Sequence, residues 1–301
     1  MLSICIPVFN KSIKNLYNSL SLQSQKIAEE IEILVIDDCS EDYFKLQNKK
    51  ICNERNYIEL TKNVGRSKIR NIFLKHARFE NLLFLDCDSK ITDDLYLTKY
   101  INELNSKKIE VIFGGSVYHK EAPDKKHLLR WDYGSRKENI PFEKRKALGN
   151  KSFLSNNFLV KKKVFEKVRF DETISKYGYE DTIFCYELKK NGYTITQLDN
   201  SVLNNEFETN TQYLKKVTDS IENLYLIMTA NRYQDTSLCN DITLIKTYKR
   251  IEDYKTVWLF HIFFMFAKPL IKILLTHGYY GSLILFNLYK LGLLSDRIKK
   301  N

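Results

Sequence analysis

Residues 82 to 88 read Leu82-Leu83-Phe84-Leu85-Asp86-Cys87-Asp88, an apolar run followed by two carboxylates one residue apart. A short apolar run bounded by polar residues is typical of a buried strand, so the carboxylates are expected where the strand emerges into a loop. Open α/β sheets bind ligands at this edge. Carboxylates there favour a cation, and oxygen ligands suit Mg²⁺ or Mn²⁺. A solvated turn is the alternative interpretation.

Four further segments place polar residues at the end of a predicted strand or at the start of a predicted helix. Two are strands that end in polar residues, one is a glycine turn that runs into a basic helix, and one has paired carboxylates that open a helix. In chain order they are Leu2-Ser3-Ile4-Cys5-Ile6-Pro7-Val8-Phe9-Asn10, Ile31 to Ile36 with Asp37-Asp38-Cys39-Ser40, Asn63-Val64-Gly65-Arg66-Ser67-Lys68-Ile69-Arg70-Asn71, and Tyr177-Gly178-Tyr179-Glu180-Asp181.

This ordered set of motifs, which extends over about residues 2 to 205, resembles family 2 glycosyltransferases of the GT-A fold. The resemblance implies an α/β protein with a Rossmann-like, mostly parallel sheet flanked by helices. The residues support the same class, because short apolar runs at 2–8, 31–36, 57–60, 82–86 and 109–113 alternate with helical patterns. Such alternation predicts β-α-β units and a parallel sheet.

Composition limits the kinds of partner. The chain has 301 residues and a net charge of +11, which favours an anionic partner such as nucleic acid, a phospholipid surface or a phosphorylated substrate. No helix-turn-helix, zinc-finger or aromatic RNA-binding signature is present, so nucleic acid is not expected. The six cysteines have no paired spacing and are interpreted as reduced thiols. Met1 leads directly into a strand, so no leader is expected and the protein is predicted to be cytoplasmic.

We expect two domains. Residues 1–208 are predicted to form the domain that binds the nucleotide-sugar and catalyses the reaction, and residues 209–301 a helical extension. Within the first, the basic stretch 119–151 is predicted to be a mobile loop with a short helix that closes over a substrate. Residues 152–160 are predicted to return to strand, and residues 180–190 to form a helix that stops at Asn191-Gly192.

The last third of the chain is apolar, aromatic and basic. Apolar runs at 257–266, 270–275 and 283–294 are each too short to span a membrane without interruption, because Lys268, Pro269 and Lys272 intervene. Residues 249–301 contain nine Lys or Arg and three Asp or Glu. This mixture favours helices that lie in an anionic membrane interface, at the inner face of the cell membrane. The alternative is a helical cap that covers the catalytic domain or forms a homodimer.

Glycosyl transfer requires cationic stabilisation of a leaving diphosphate and a base for the acceptor hydroxyl. By resemblance, Asp88 is the principal ligand of Mn²⁺ or Mg²⁺, and Asp86 lies close to the metal and the ribose. Asp181 matches the position of the general base. Glu180 is expected to orient the site or to bind an acceptor hydroxyl. The alternative for the Glu180-Asp181 pair is a helix N-terminus favoured by the helix dipole.

The resemblance also implies a nucleotide site. Asp38 is expected to face a uracil ring, whose imide N–H a carboxylate can accept. Arg70 is expected near the base and phosphates, with a solvated helix charge as its alternative. The remaining candidates are Pro7, Phe9 and Asn10 along the nucleotide, Asn63 and Asn71 as loop braces beside it, and Asn157, next to Asn156, facing the donor sugar.

One position departs from the family pattern. The segment 198–206 resembles one that often carries a histidine where this chain has Asn204. An amide oxygen is a weaker ligand for Mn²⁺ than imidazole. Asn205 or Glu206 is therefore a candidate substitute for the missing ligand.

Together with the resemblance, which alone implies inversion, the sequence predicts a metal-dependent, inverting glycosyltransferase that moves a hexosyl or N-acetylhexosaminyl group. The expected donor is a UDP-sugar, and the expected acceptor is a saccharide or lipid-linked saccharide in surface polysaccharide or glycolipid synthesis. The alternatives are a non-catalytic saccharide-binding or scaffold subunit of a membrane assembly, and another α/β nucleotide enzyme such as a nucleotidyltransferase. A dehydrogenase is disfavoured because no Gly-x-Gly-x-x-Gly follows the first strand.

Overall fold

A computed structural model describes residues 1–106, 109–205, 208–233, 236–279, 281 and 283–299. Two compact units are present. The first, called here the N-terminal unit, comprises residues 1–119, 135–175 and 180–206, and the second, the C-terminal unit, comprises residues 120–134, 176–179 and 207–301.

The apolar run at 82–85 forms the fourth strand of the chain, in the middle of a seven-stranded sheet in the N-terminal unit. The strands are β1 Leu2–Val8, β2 Ile31–Asp37, β3 Tyr57–Glu59, β4 Asn81–Leu85, β5 Ser89–Lys90, β6 Val111–Phe113, β7 Ser116–Val117, β8 Asn157–Lys161, β9 Ile195–Gln197 and β10 Val202–Asn204. The order in the large sheet is β3-β2-β1-β4-β8-β6-β9, and a separate small sheet has the order β5-β10-β7.

The large sheet is mostly parallel, as the sequence predicts. Only β8 runs against its neighbours β4 and β6 among the described strands. In the register of β1 with β2, Leu2 pairs with Ile31 and Val8 with Asp37, so these two strands end together. The strand predicted to begin at residue 152 begins at Asn157 instead, because residues Gly149–Ser152 form a 3₁₀ turn.

Both faces of the large sheet are covered by apolar side chains. Successive residues of β4 point to opposite faces, so Leu83 and Leu85 join one core cluster, whereas Leu82 and Phe84 join the other. All four side chains are fully buried. A strand buried on both faces explains why this run is continuously apolar and not alternating.

Helices cover the sheet and form most of the C-terminal unit. The prediction of a helix over 180–190 is confirmed. The stretch 119–151 contains more regular structure than one short helix, namely helices at Leu128–Tyr133 and Phe142–Leu148 and a π-helical turn at Gly134–Glu138. The helices are α1 Lys14–Ser24, α2 Asp42–Lys49, α3 Arg66–His76, α4 Tyr96–Ser106, α5 Leu128–Tyr133, α6 Phe142–Leu148, α7 Lys162–Lys167, α8 Glu180–Lys190, α9 Asn210–Thr229, α10 Thr236–Asp241, α11 Thr243–Asp253, α12 Val257–Thr276 and α13 Leu283–Lys299.

The apolar runs at 257–266 and 270–275 belong to one helix, α12, which continues through Pro269. A seam with the spacing of a coiled coil, Phe264, Ile271 and Leu275, is buried. Phe264 packs so closely against Gly292 of α13 that a Cβ atom there would lie 2.2 Å from its ring. Much of the remaining surface of α12 is exposed. Among the described helices, α12 is long and apolar enough to cross a membrane by length and composition, and 11% of its apolar window is buried.

Candidate functional site

The loops after β1 and β2 meet at the carboxyl edge of the large sheet, because parallel strands end on the same side. Two non-glycine residues have left-handed backbones there, Asn10 with φ of 49° and Cys39 with φ of 63°. The Asn10 amide donates to Ser40 Oγ at 2.8 Å, and the Glu41 amide donates to Asn10 Oδ1 at 2.8 Å. Left-handed residues held in this way cluster at ligand sites, so this edge is the candidate site.

Two residues expected to line a nucleotide lie at the end of β1. Pro7 is half-buried and pairs in register with Ile36, and the side chain of Phe9 is 50% exposed just beyond the strand. An exposed aromatic ring at this edge is suited to stacking on a planar ligand group. Asn10 uses its amide oxygen to brace the neighbouring loop, as described above.

Asp38 holds the loop that precedes α3. Its carboxylate accepts the amides of Val64 at 2.7 Å and Gly65 at 3.0 Å, and Asn63 Nδ2 donates to its carbonyl at 3.2 Å. Burial raises the pKa of Asp38, although the two amide hydrogen bonds act in the opposite direction. Asp38 therefore has a bracing role in the structure, and any contact with a base would add to it.

Asn63 and Asn71 both act as loop braces. The amide nitrogen of Asn71 donates to the Phe170 carbonyl at 2.9 Å and to Glu172 Oε1 at 3.1 Å, and its oxygen accepts the Phe170 amide at 3.0 Å. Asn71 is thereby bound to the segment 170–172. Asn63 thus bonds the loop before α3 to Asp38, and Asn71 bonds α3 itself to the segment 170–172.

Arg70 on α3 is buried, with 2% of its side chain exposed, so it is not a solvated helix charge. Its Nη2 donates to Asp86 Oδ1 at 2.7 Å, and its Nη1 donates to the Arg66 carbonyl at 3.1 Å. The guanidinium also lies 5.4 Å from the ring centre of Phe170. The first carboxylate after β4 is therefore paired with a buried cation.

The second carboxylate, Asp88, precedes the short strand β5. Its carbonyl accepts the Asn205 amide at 3.3 Å, so the loop after β4 is bonded to the segment after β10. Over the described residues, no group of three or more His, Cys, Asp or Glu side chains is placed to hold a metal ion. The pair Asp86 and Asp88 offers carboxylate oxygens, a donor set that fits Mg²⁺ or Mn²⁺ bound also by water and substrate phosphate.

Asn204, which stands where the family often has a histidine, and Asn205, a candidate substitute for that ligand, are both partly engaged elsewhere. Asn204 Nδ2 donates to the Tyr118 hydroxyl at 3.2 Å, and Asn205 Oδ1 lies 3.0 Å from His119 Nε2. Glu206 lies outside the described residues. The two asparagines thus connect β10 to the segment that follows β7.

Asp181 occupies the first turn of α8. Its Oδ1 accepts the Thr182 amide at 2.7 Å. Burial, together with the nearby charges of Glu180 and Glu138, raises the pKa of Asp181 to about 7, while the Thr182 amide and the Arg70 guanidinium act in the opposite direction. A carboxylate that titrates near neutral pH beside other charged groups is typical of a catalytic acid or base.

Glu180 is buried, and the sequence did not reveal its partner. Arg66 Nη1 lies 3.7 Å from Glu180 Oε1, whereas Glu180 Oε2 has no hydrogen-bond partner within the described part of the chain. Arg66 lies one helical turn before Arg70, and this spacing in the basic helix could have indicated it. Glu138, whose carboxylate accepts a hydrogen bond from Tyr118, had no sequence signal, because it lies in a charged stretch distant from the motifs.

Asn157 does not face a donor sugar, which corrects the expectation for this residue. Its side chain is fully buried, Oδ1 accepts the hydroxyls of Tyr96 at 2.6 Å and Tyr100 at 2.8 Å, and Nδ2 donates to the carbonyls of Gly115 at 2.8 Å and Asn200 at 2.9 Å. All four hydrogen-bonding positions of the amide are used.

The neighbouring asparagine has the features expected of a site residue. The Asn156 carbonyl accepts the Asp86 amide at 3.1 Å, and Asn156 Oδ1 has no hydrogen-bond partner among the described residues. Adjacent side chains of an extended segment point in opposite directions, so only one of the two asparagines can face the core. The structure places Asn157 there and Asn156 beside Asp86.

Sequence comparison identifies related proteins. The model of the family described as glycosyl transferase family 2 matches residues 3–169. An uncharacterized glycosyltransferase, YfnE of Bacillus subtilis (strain 168), is 28% identical over 240 residues, which cover 64% of this chain and 61% of that protein. The poly(ribitol-phosphate) beta-N-acetylglucosaminyltransferase TarS of Staphylococcus aureus (strain Mu50) is 37% identical over 138 residues, 40% of this chain and 24% of that protein. The chain thus spans less than two thirds of the length of either relative.

Structure comparison supports the fold. A mannosyltransferase of Pyrobaculum calidifontis, PcManGT, solved with GDP-Man and Mn²⁺, has a TM-score of 0.57 at 12% identity and covers 99% of this chain and 86% of its own. Residues 1–349 of S. aureus TarS, solved with UDP-GlcNAc, have a TM-score of 0.52 at 17% identity and cover 99% and 92%. These similarities confirm the predicted GT-A fold, and together with the match over residues 3–169 they show that the chain belongs to glycosyl transferase family 2.

Proposed function

We propose that the protein is an inverting glycosyltransferase that moves a hexosyl or N-acetylhexosaminyl group from a UDP-sugar to the hydroxyl of a saccharide or lipid-linked saccharide. One observation carries this proposal. Asp181, with a pKa raised to about 7, lies in a cluster with Glu180, Arg70 and Glu138 at the ligand-binding edge of a GT-A sheet. Family membership supplies the reaction class, and this cluster supplies a base for it.

Asp181 acts as the general base. An acceptor hydroxyl must lose its proton as it attacks the anomeric carbon, and a carboxylate that titrates near neutral pH accepts that proton with little mismatch in acidity. The Thr182 amide fixes one oxygen of Asp181 and leaves the other for the acceptor. Glu180 Oε2, buried without a protein partner in the described residues, is suited to accept a second acceptor hydroxyl and thereby orient the sugar.

The nucleotide binds along the ends of β1 and β2. Phe9 offers an exposed ring, Pro7 and Asn10 form the adjoining backbone, and Asp38 shapes the loop at 63–65. The solved structures of TarS and PcManGT contain UDP-GlcNAc and GDP-Man, which supports a nucleotide-sugar donor in this fold. We favour uridine because Asp38 matches the family position that faces uracil.

Asp88 and Asp86 would hold a divalent cation, Mn²⁺ or Mg²⁺, with Asn156 Oδ1 as an additional oxygen near Asp86. When bound, the cation supplies positive charge for the leaving diphosphate. Arg70 already donates to one carboxylate oxygen of Asp86. Asp86 is therefore paired at this edge even without a cation. The buried arginine therefore keeps the loop formed whether or not a cation is present.

The acceptor and the location follow from the C-terminal residues. We propose that residues 1–208 form the catalytic domain and residues 209–301 an extension that binds an anionic membrane at its cytoplasmic face, with a homodimer through these helices as the alternative use. The exposed apolar surface of α12 and the net charge of +11 support the membrane. TarS by its name acts on poly(ribitol-phosphate), an anionic polymer, and a basic chain is suited to an acceptor of this kind.

The test is release of UDP from a panel of UDP-sugars with Mn²⁺, with and without saccharide acceptors. The parent protein and an Asp94→Asn variant, which changes an exposed carboxylate outside the site, should release UDP at equal rates. Asp181→Asn should be slower by about a hundredfold or more, the usual scale for loss of a general base. Inactivity of the parent with all donors while it binds saccharide would identify a scaffold subunit, and equal rates for all three proteins would assign Asp181 to the helix N-terminus alone.

A further inference from the structure

A cleft of about 510 Å³ opens between α11, α12 and α13 in the C-terminal unit. Its apolar lining comes from Tyr248, Trp258, Ile262 and Ile298. This size lies within the range of small-ligand sites, about 300 to 1,000 Å³. The cleft is thus large enough for the chain of an amphiphile and has the apolar walls to receive it.

The polar residues that line the cleft are mostly basic. Lys255 and Lys299 line it together with the carboxylate of Glu252. Ser295 also lines it, is 2% exposed, and its Oγ has no hydrogen-bond partner in the described part of the chain. A helical serine commonly bonds a carbonyl one turn earlier, so an unpartnered hydroxyl at a cleft wall is available to a ligand.

His261 adds a second buried polar atom to the cleft lining. Its Nδ1 lies 3.4 Å from Asp296 Oδ1 but has no hydrogen-bond partner in the described residues. Asp296 is already neutralised, because Lys268 Nζ lies 2.6 Å from its other oxygen. The cleft lining then carries the two positive charges of the lysines and the one negative charge of Glu252. This net positive charge favours an anion.

The cleft is continuous with the exposed apolar surface of α12. Trp258 and Ile262 line the cleft and begin a row of residues four apart that continues with Phe266 and Leu270. These four side chains are 62%, 45%, 75% and 61% exposed. An apolar row that leads into a cleft with a basic edge is suited to a molecule whose chain lies in an apolar phase and whose head is anionic.

We propose that this cleft binds one membrane lipid with a phosphate headgroup. The alkyl or isoprenoid chain lies against Trp258 and Ile262, and the phosphate contacts Lys255, Lys299 and the Ser295 hydroxyl. The proposal rests on the proposed function in one respect, since a lipid-linked saccharide acceptor belongs to this ligand class. The lipid is the proposed source of the phosphate, and free phosphate is treated as an outcome of the test.

The experiment uses the fluorescence of Trp258. The chain contains two tryptophans, so Trp131→Phe in the full-length protein leaves Trp258 as the only reporter. Dodecyl phosphate, titrated below its micelle concentration, should give a saturable blue shift as the indole leaves water. Dodecyl maltoside tests the chain without the anionic head, and inorganic phosphate tests the head without the chain. Both compounds should require much higher concentrations than dodecyl phosphate to change the fluorescence of Trp258.

Variants connect the signal to the cleft. Lys255→Gln combined with Lys299→Gln should raise the apparent Kd for dodecyl phosphate by about tenfold or more, the scale of one charge-assisted hydrogen bond. Lys246→Gln, on an exposed position of α11 outside the cleft, is the matched control and should leave the Kd unchanged. Melting curves of all variants serve as the control that each variant is folded.

Three outcomes would overturn the proposal. They are the absence of a saturable shift with dodecyl phosphate, equal affinity for the maltoside, and equal affinity for inorganic phosphate, which would assign a free-phosphate site. UDP release, measured separately with a soluble saccharide acceptor, distinguishes this failure from that of the proposed function. A protein that transfers sugar but ignores dodecyl phosphate lacks the lipid site, and one that binds dodecyl phosphate but never releases UDP refutes the enzyme assignment.

Discussion

Nη2 of Arg70 lies 2.7 Å from Oδ1 of Asp86, and the arginine side chain is 2% exposed. The guanidinium is held from a second side, because its Nη1 donates to the Arg66 carbonyl at 3.1 Å. The same positive charge lowers the pKa of Asp181 against the effect of burial. Arg70 therefore connects the proposed cation-binding loop to the proposed general base.

Removal of this charge should shift the pH dependence of transfer. In Arg70→Gln, the pKa of Asp181 should rise further above about 7, because an attractive charge is lost. The base works only when it is deprotonated, so the acidic limb of the kcat/KM profile should move to higher pH. Arg169→Gln changes an exposed arginine next in sequence to Phe170, whose ring lies against the Arg70 guanidinium, and should leave the limb in place. Identical limbs in the two variants would show that Arg70 does not act on the base.

The raised pKa of Asp181 also predicts how stability depends on pH. The folded state holds the Asp181 proton up to about pH 7, whereas the unfolded chain releases it near 3.8, the ordinary pKa of an aspartate side chain. Between these values the folded state binds more protons, so this carboxyl makes stability fall as pH rises from about 4 to about 7, with no further loss above. In Asp181→Asn this loss is absent.

The measurement is the melting temperature of the parent and of Asp181→Asn between pH 4 and 8. The variant should gain over the parent as pH rises through this window and should then keep a constant advantage. Asp94→Asn, at an exposed carboxylate, should follow the parent. A parent and an Asp181→Asn variant with parallel curves would contradict the raised pKa.

Local patterns in the sequence predict the elements of the fold well. The buried run before Asp86 and the helix from Glu180 to Lys190 were both expected, because each depends on periodicity and on boundary residues close in sequence. Pro269 was not expected within a continuous helix. Lys268 and Pro269 interrupt the apolar run but not the helix. Lys268 is half-buried and pairs with Asp296 at 2.6 Å, and Pro269 lies on an exposed part of α12.

The site could be predicted only in part, because side-chain pairing depends on tertiary structure. Whether Arg70 is solvated or buried depends on the strand that α3 covers, and the sequence offered both interpretations. Asn156 and Asn157 are adjacent, and the choice between core and site depends on where β8 begins. Glu138 reaches Asp181 from a charged stretch about forty residues earlier, and no pattern connects the two.

The adjacent asparagines should separate stability from activity. Asn157→Ala should destabilise the protein strongly, because it removes the amide that pairs with two tyrosine hydroxyls and the Asn200 carbonyl in the core, at about 1 to 3 kcal/mol for each group left unsatisfied. The Gly115 carbonyl keeps the Val202 amide as a donor. Asn156→Ala should have little effect on unfolding by urea but should weaken donor binding measured by calorimetry. The reverse pattern would mean that Asn157, and not Asn156, faces the donor.

The proposed cation ligand and the proposed base should differ in binding. Asp88→Asn should weaken the Mn²⁺-dependent binding of UDP, because this carboxylate is proposed to act on the phosphates through the cation. Asp181→Asn should bind UDP and Mn²⁺ like the parent, since it is proposed to face the acceptor. Calorimetric titrations of UDP with and without Mn²⁺ test this order. Equal binding by the parent and both variants would remove Asp88 from the cation site.

The exposed row on α12 should bind anionic membranes, and two leucines offer a matched comparison. Leu270 on α12 is 61% exposed and Leu46 on α2 is 59% exposed. If α12 lies in the interface, Leu270→Asp loses the burial of one apolar side chain, about 1.5 to 3 kcal/mol, and adds a repelled charge. Its partitioning onto phosphatidylglycerol vesicles in a sedimentation assay should fall by about tenfold or more, whereas Leu46→Asp should sediment like the parent.

High salt should weaken the binding of the parent, because part of the attraction is between lysines and lipid phosphates. The membrane proposal would be contradicted by a parent protein that stays in the supernatant, or by equal losses of vesicle binding in the two variants. The exposed surface of α12 would then be assigned to contact with a second copy of the chain. Equilibrium sedimentation would detect that contact as a dimer that Leu270→Asp dissociates.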